Sequence, residues 1–300
     1  MKNFNTQGGP GVRLRACALI LATLLLAACS TIRFTYNHGE TILYWWVNAY
    51  VGLDSDQSGW VRKDIDSLFQ WHRKTELKEY AQVLENGQRQ LDGNMTEADL
   101  LADFKDVKAR SEALLLKAVP DLADLARAIK PEQIARIEKK FASNNDDYRK
   151  KFLRGTVEKR QKLRYQNSME QFEMVFGSFS REQEARIRKA SDARALDNEI
   201  WLDERMRRQQ KILAVLRKVQ QEKLGKEAAM AVIRATLQEM FERFDAPERK
   251  AFFDAYLASS AQFIVGVIKL ATPAQKAHAH QRLQGWIDDF HSLAADGKPL

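Results

Sequence analysis

No stretch of this chain alternates apolar and polar residues with a period of two over a useful length, while four short segments read as helix starts. They are Lys130-Pro131-Glu132-Gln133, Ser180-Arg181-Glu182-Gln183, Asp245-Ala246-Pro247-Glu248 and Thr272-Pro273-Ala274-Gln275. In three of them a Ser, Asp or Thr cap precedes Glu or Gln by three residues, so each side chain can bond the other's backbone N–H. Proline falls early in the first turn of three, where its missing N–H costs nothing. The intervals are unequal, which makes this repeated helix punctuation and not a solenoid repeat. Only 14 Gly and 6 Pro interrupt a chain of 300 residues dominated by helix formers. The expected fold class is all-α, a multi-helix bundle of about seven or eight helices.

The apolar spacing divides the chain further. Thr41–Leu53 is apolar nearly all round and reads as a buried first helix or an interfacial one, with Tyr44, Trp45, Trp46 and Tyr50 suited to a bilayer surface. Asp54-Ser55-Asp56 is a cap-rich break before a helix from about Gln57 to Glu85. Asp92-Gly93-Asn94 is a turn, Thr96 caps the next helix, and Pro120 interrupts it. Two long polar helices, Glu132–Phe176 and Arg181–Leu224, meet at Gly177-Ser178-Phe179-Ser180. This hairpin, about 131–224, buries a narrow stripe and is expected to project or to line a groove. Three amphipathic helices over about 226–293 are expected as antiparallel neighbours, inside a helical domain of 41–293, with a loose tail over 294–300.

The N-terminus carries Lys2, Arg13 and Arg15, then the apolar run Ala16–Leu26, roughly 16 Å as a helix and too short for a bilayer core. These are the parts of an export signal. Leu26-Ala27-Ala28-Cys29 looks like a lipobox, so residues 1–28 are expected to be removed and Cys29 to take lipid, with 29–40 as a lipidated linker. Ser30, by resemblance to lipoproteins generally, directs the chain to the periplasmic face of the outer membrane. Cleavage removes three of the eight net positive charges, leaving +5, and takes Cys17 with it. The mature chain then keeps no thiol for a disulfide, a thiolate metal site or a cysteine nucleophile.

Trp71-His72-Arg73 is the most suggestive cluster, because His72 continues the apolar stripe of Leu68 and Phe69. An imidazole there serves as a proton shuttle or pH sensor, or as a hydrogen-bonded histidine at a core edge. His278 and His280 are two apart and do not share a helix face, so no metal site and no cofactor are expected. HExxH, GxSxG and a phosphate-binding glycine loop are all missing from the sequence, and no catalytic residue is assigned. Arg149, Lys150, Lys151, Arg154, Lys159, Arg160, Lys162 and Arg164 form a basic run with Glu158 its one acid. Export makes nucleic acid a poor partner; an envelope protein or an anionic envelope component fits better, and a solvated face is the plain alternative.

The stretch from Cys29 to about Leu84 resembles a family of uncharacterised proteobacterial lipoproteins. The resemblance rests on Cys29-Ser30, Arg33, Tyr36-Asn37, Trp46, Tyr50, Leu53, Gln57, Trp71-His72-Arg73, Glu76-Leu77 and Tyr80. It implies an address and no activity. The helix starts in a basic helical chain are also similar to Spy/CpxP-type periplasmic chaperones, which carry Leu-Thr-x-x-Gln. Here Leu270-Ala271-Thr272-Pro273-Ala274-Gln275 comes near it, and Ala271 departs from it. The expected function is non-enzymatic: a lipid-anchored envelope protein that binds other macromolecules through helical surfaces, chaperone- or scaffold-like. The alternative is an enzyme with a site around His72 in a bundle cleft.

Overall fold

The computed structural model describes residues 31–195, 197–242 and 247–296. Among them are twelve α-helices and no strand. They are α1 Thr31–Asn37, α2 Gly39–Val51, α3 Ser55–Asp92, α4 Glu97–Lys117, α5 Val119–Ala128 and α6 Pro131–Tyr148. A π turn at Arg149–Leu153 precedes α7 Val157–Phe176, α8 Arg181–Ala193 and α9 Asn198–Gln221. Last come α10 Lys226–Glu242, α11 Pro247–Leu270 and α12 Pro273–Ala295. The all-α bundle holds, with more and shorter helices than the seven or eight expected. The interruption expected at Pro120 is a break between two helices: Pro120 opens α5 after the chain turns at Ala118.

Capping places most of the starts. Asp54, Thr96, Ser180 and Thr272 each accept the backbone N–H three residues on. Thr156 and Asp197 do the same for α7 and α9. The start at Asp245 lies outside the described residues.

The long hairpin is present, but each arm is broken, and the two breaks face each other. In the first arm the chain leaves α6 through the π turn, where Arg154 N–H reaches Arg149 O, and Gly155 turns it at φ +93°. In the second arm α8 ends at Ala193, with Arg194 as its C-cap, and α9 starts at Asn198. Asn198 Nδ2 donates to Phe152 O at 3.1 Å, tying one break to the other. The arms run antiparallel: Arg217 pairs with Glu138 at 2.7 Å, and Asn145 meets Gln209 at 2.7 Å one stage further. The hairpin does not stand away from the bundle, because α6 packs on α2, α9 on α5 and α10, α7 on α12, and α8 on α11.

The last three helices do not pack chiefly on one another as expected. Each packs instead against an earlier part of the chain: α10 on α4 and α5, α11 on α4 and α8, and α12 along α3. Their apolar stripes are wide enough to need deep partners, and the short loops between them only set direction. The α3–α12 seam is antiparallel, with Asp92 opposite His280 at 2.7 Å, Gln88 Nε2 donating to His280 O at 3.0 Å, and Arg73 Nη1 donating to Leu293 O at 3.2 Å. The tail expected to loosen at Ala294 stays helical to Ala295, since Leu293 is fully buried. Of the expected linker, residues 31–40 are described, and they are more than a linker, because α1 packs on α12 and delivers Tyr36 to α3.

Among the described residues, four apolar patches stand out in the interior. The largest joins Leu91, Leu100, Met169, Phe176, Ile187 and Phe263, with Val265 and Val267 also buried in it. Helix α11 is long and apolar enough to cross a bilayer by length and composition, and its Phe263, Val265 and Val267 are buried in this patch. Val119, Val219 and Ile233 anchor a second patch, Val51, Ile134 and Leu213 a third, and Tyr44, Val61 and Ile65 a fourth.

Candidate functional site

Two pairs of glutamines join helix starts that are far apart in sequence. Gln57 and Gln133, each the third residue of its helix, exchange amide bonds, Gln133 Nε2 to Gln57 Oε1 at 2.7 Å and Gln57 Nε2 to Gln133 Oε1 at 3.2 Å. Each also donates to a carbonyl just before its partner's helix: Gln57 to Ala128 O at 2.8 Å, and Gln133 to Gly52 O at 3.0 Å. Each oxygen accepts its own cap's N–H, from Asp54 and Lys130. All the amide hydrogen-bonding capacity is used in a buried place, as burial of a polar group demands. Gln183 and Gln275 repeat the arrangement, with exchange distances of 2.8 and 3.3 Å and further bonds to Leu270 O and Ser178 O. Gln57, in Leu53-Asp54-Ser55-Asp56-Gln57, makes this the fourth such start in the described residues, one that the cap pattern did not single out as a member of the set.

Trp71, His72 and Arg73 diverge, as three consecutive helical residues must. His72 takes Tyr36 Oη at 2.9 Å on Nδ1 and Tyr80 Oη at 3.3 Å on Nε2. A neutral imidazole satisfies both, one nitrogen donating and the other accepting. Burial pushes the His72 pKa below its ordinary value of 6.5 and the Tyr36 hydroxyl up to about 12. Among the described residues, both hydrogen-bond partners of His72 are tyrosine hydroxyls, and no carboxylate reaches it. Arg73 lies 5.0 Å from the Tyr36 ring centroid and bonds Asn37 and Leu293, so the cluster ties α1 and α12 to α3. Trp71 faces elsewhere, 5.8 Å from the Lys117 ammonium. His72 does border a cavity of about 490 Å³, between α1, α2, α3 and α4, and its walls are apolar, chiefly Ile32, Leu43, Leu68, Phe69 and Leu114.

The basic run does not form one helical face, because the π turn and Gly155 divide it. Arg149 pairs with Asp146 at 2.8 Å and Lys150 with Asp147 at 3.6 Å. Lys151 lies 5.2 Å from the Phe152 ring centroid. Arg154, Lys159 and Lys162 are exposed. Arg160 and Arg164 turn inward on one face of α7, toward the break in the second arm. There Arg164 donates to Arg194 O and Asp192 O, both at 3.2 Å, and so caps the C-terminal end of α8. Arg194 donates to Ser168 Oγ at 3.2 Å and lies 4.3 Å from the Phe263 ring centroid. Arg194 was no candidate from sequence, since an arginine in a polar helix reads as solvated.

His278 and His280 part company: His278 Nδ1 bonds Val175 O at 2.9 Å, while His280 bonds Asp92. Cys29 lies outside the described residues.

These features define an all-α bundle whose polar interior is built from amide clasps, a tyrosine-held histidine and inward-turned arginines. Residues 49–233, more than half of the chain, match a family of unknown function, DUF6279, and the chain belongs to that family. The match takes in His72, the basic run and three of the four clasp glutamines. No curated protein and no solved structure matches the chain.

Proposed function

We propose that the protein is a non-enzymatic, lipid-anchored envelope protein that binds other macromolecules through its helical surfaces, in a chaperone- or scaffold-like way. Cys29 carries the lipid in this reading, and the anchored chain lies at the periplasmic face of the outer membrane. The observation that carries it is the outer face of α1 and α2, where Phe34, Ile42, Trp45 and Trp46 are exposed, Trp45 by 63%. Exposed tryptophans on a short helix suit a bilayer interface. Cys29 precedes α1 by two residues, about 7 Å of chain, so a lipid there brings this face to the membrane. Lys151, Arg154, Lys159 and Lys162 then offer an exposed cationic surface to an anionic client or envelope component. The start at Thr272, with Gln275 at the third helical position, supports the chaperone-like version by its nearness to Leu-Thr-x-x-Gln.

The test is in-cell photocrosslinking of the full chain with probes at Lys151 and Lys162, with membrane fractionation alongside. Specific crosslinks that vanish on reversing the exposed charges, together with release of Cys29→Ser from the membrane, are expected. Crosslinks untouched by charge reversal would make the basic surface a solvated face. Membrane retention of Cys29→Ser would remove the lipid anchor.

The cavity beside His72 favours the second reading, an enzyme in a bundle cleft. That reading lacks a carboxylate to hold the imidazole in a catalytic orientation. A turnover assay in which His72→Gln abolishes activity without changing the melting temperature would establish it.

A further inference from the structure

The groove between α7 and α11, at the facing breaks of the hairpin, carries a feature that macromolecular binding does not use. From its lining we infer that it is a site for a single-chain anionic amphiphile, with a carboxylate or phosphate head on Arg160, Arg164 and Arg194 and the hydrocarbon chain along Leu163, Phe172 and Ile264. The groove holds about 390 Å³, within the range of small-molecule sites. Among its described lining residues the charged ones are these three arginines, and most of the remaining surface is apolar.

The arginines are poorly compensated where they stand. The carboxylate of nearby Asp192 is held by Arg188 at 2.8 Å, and no ion pair joins Arg160, Arg164 or Arg194 to a carboxylate among the described residues. The Nε atoms of Arg164 and Arg194 are buried and without a partner. Burial lowers the pKa of both; at Arg164 nearby Asp192 offsets part of this while Arg188 adds to it, and at Arg194 the Arg164 cation adds to it. An arginine does not shed its proton, so the relief open to such a cluster is an anion. Arg160 and Arg164 are one turn apart on α7 and open on the same groove.

The same arginines also back a second depression on the other side, but Asp192, Asp197 and Glu199 line that one and repel an anion. The head group therefore enters from the α11 side, where the exposed Asn167 lines the groove. A free anion would leave the apolar walls unfilled, and a neutral amphiphile would leave the arginines unmatched. A ligand with both parts satisfies both. The inference does not depend on lipid attachment or on a protein partner.

Photoactivatable myristate and a photoactivatable monoacyl phosphate, applied to the full chain in amphipol, provide the test, with labelled peptides mapped by mass spectrometry. Labelling of α7 and α11, competed by unlabelled myristate or monoacyl phosphate and not by myristyl alcohol or inorganic phosphate, is expected. Which head competes better distinguishes a fatty acid from a phospholipid product, and competition by either supports the site. Arg160→Gln, which loses no described bond, is expected to weaken labelling about ten-fold, the worth of one charge-assisted hydrogen bond. Asn167→Trp fills the mouth from an exposed position and serves as the second variant. Equal competition by the alcohol, labelling indifferent to both substitutions, or labelling confined to the cavity beside His72 would overturn the assignment.

Discussion

Gln57 and Gln133 hold each other by two amide bonds, at 2.7 and 3.2 Å, while each also bonds a carbonyl at the start of the other's helix. Removing one side chain leaves the other's buried donors and acceptors unmet. Gln133→Ala is expected to cost about 2 kcal/mol in urea unfolding. The double variant with Gln57→Ala should cost clearly less than the sum of the two single ones, because the second truncation removes groups already orphaned. Strict additivity would mean that the pair is not coupled.

Glu204 is fully buried, with Arg207 at 3.0 Å and Arg249 at 3.3 Å on one oxygen and Arg208 at 3.7 Å on the other. Glu204→Ala is expected to lose about 3 kcal/mol, since it strands partly buried cations around a void. Glu204→Gln keeps the volume and an acceptor and should lose less than half of that. Denaturant midpoints of the two variants, compared at equal m-value, decide the matter.

His72 gives the fold a pH dependence of known sign. Its pKa in the folded chain lies below the ordinary 6.5, because burial between Tyr36 and Tyr80 disfavours the imidazolium. Below about pH 6.5 the unfolded chain takes up a proton that the folded chain refuses, so this contribution is lost as pH falls and is constant above that value. The melting temperature should therefore drop further between about pH 7.5 and about pH 5.5 in the parent than in His72→Gln, in which that proton is missing from both states. Equal drops would show that His72 does not set the slope.

Gly52 ends α2 in the left-handed region at φ +69°, and a Cβ there would come within 2.9 Å of Arg136 Cδ. Gly52→Ala is expected to destabilise by about 1–2 kcal/mol, from backbone strain and displacement of the arginine. Thermal unfolding measures it, and Arg136→Ala should return part of the loss by clearing the space.

Much of the local structure was legible in the chain because caps are local. Ser180 and Thr272 announce α8 and α12 by a rule that needs four residues. The breaks at Arg149–Gly155 and Arg194–Asp197 were not legible, although Gly155-Thr156 and Asp197-Asn198 hold a turn residue and a cap. Charged residues at helical spacing continue across both, and the pattern outweighs one glycine. Partner choice was illegible for a different reason. The stripe of Phe263, Val267 and Ile268 says that a face is buried, and nothing in it names α4 or α8 as the cover. The basic run was visible as charge, but the inward turn of Arg160 and Arg164 depends on Arg194, thirty residues beyond Arg164 and unremarkable in sequence.

The placement of α12 along α3 has a consequence for the order in which the molecule can be completed. A chain emerging N-terminus first can join Gln57 to Gln133 once α6 has formed, with more than half of its length still to come. The long α3 must then wait for the last of the described helices, and until it arrives the stretch from Arg73 to Asp92 lies uncovered on that side. A nascent or truncated chain lacking α12 would thus be half-finished at its longest helix, a state in which it would itself need shielding from its neighbours.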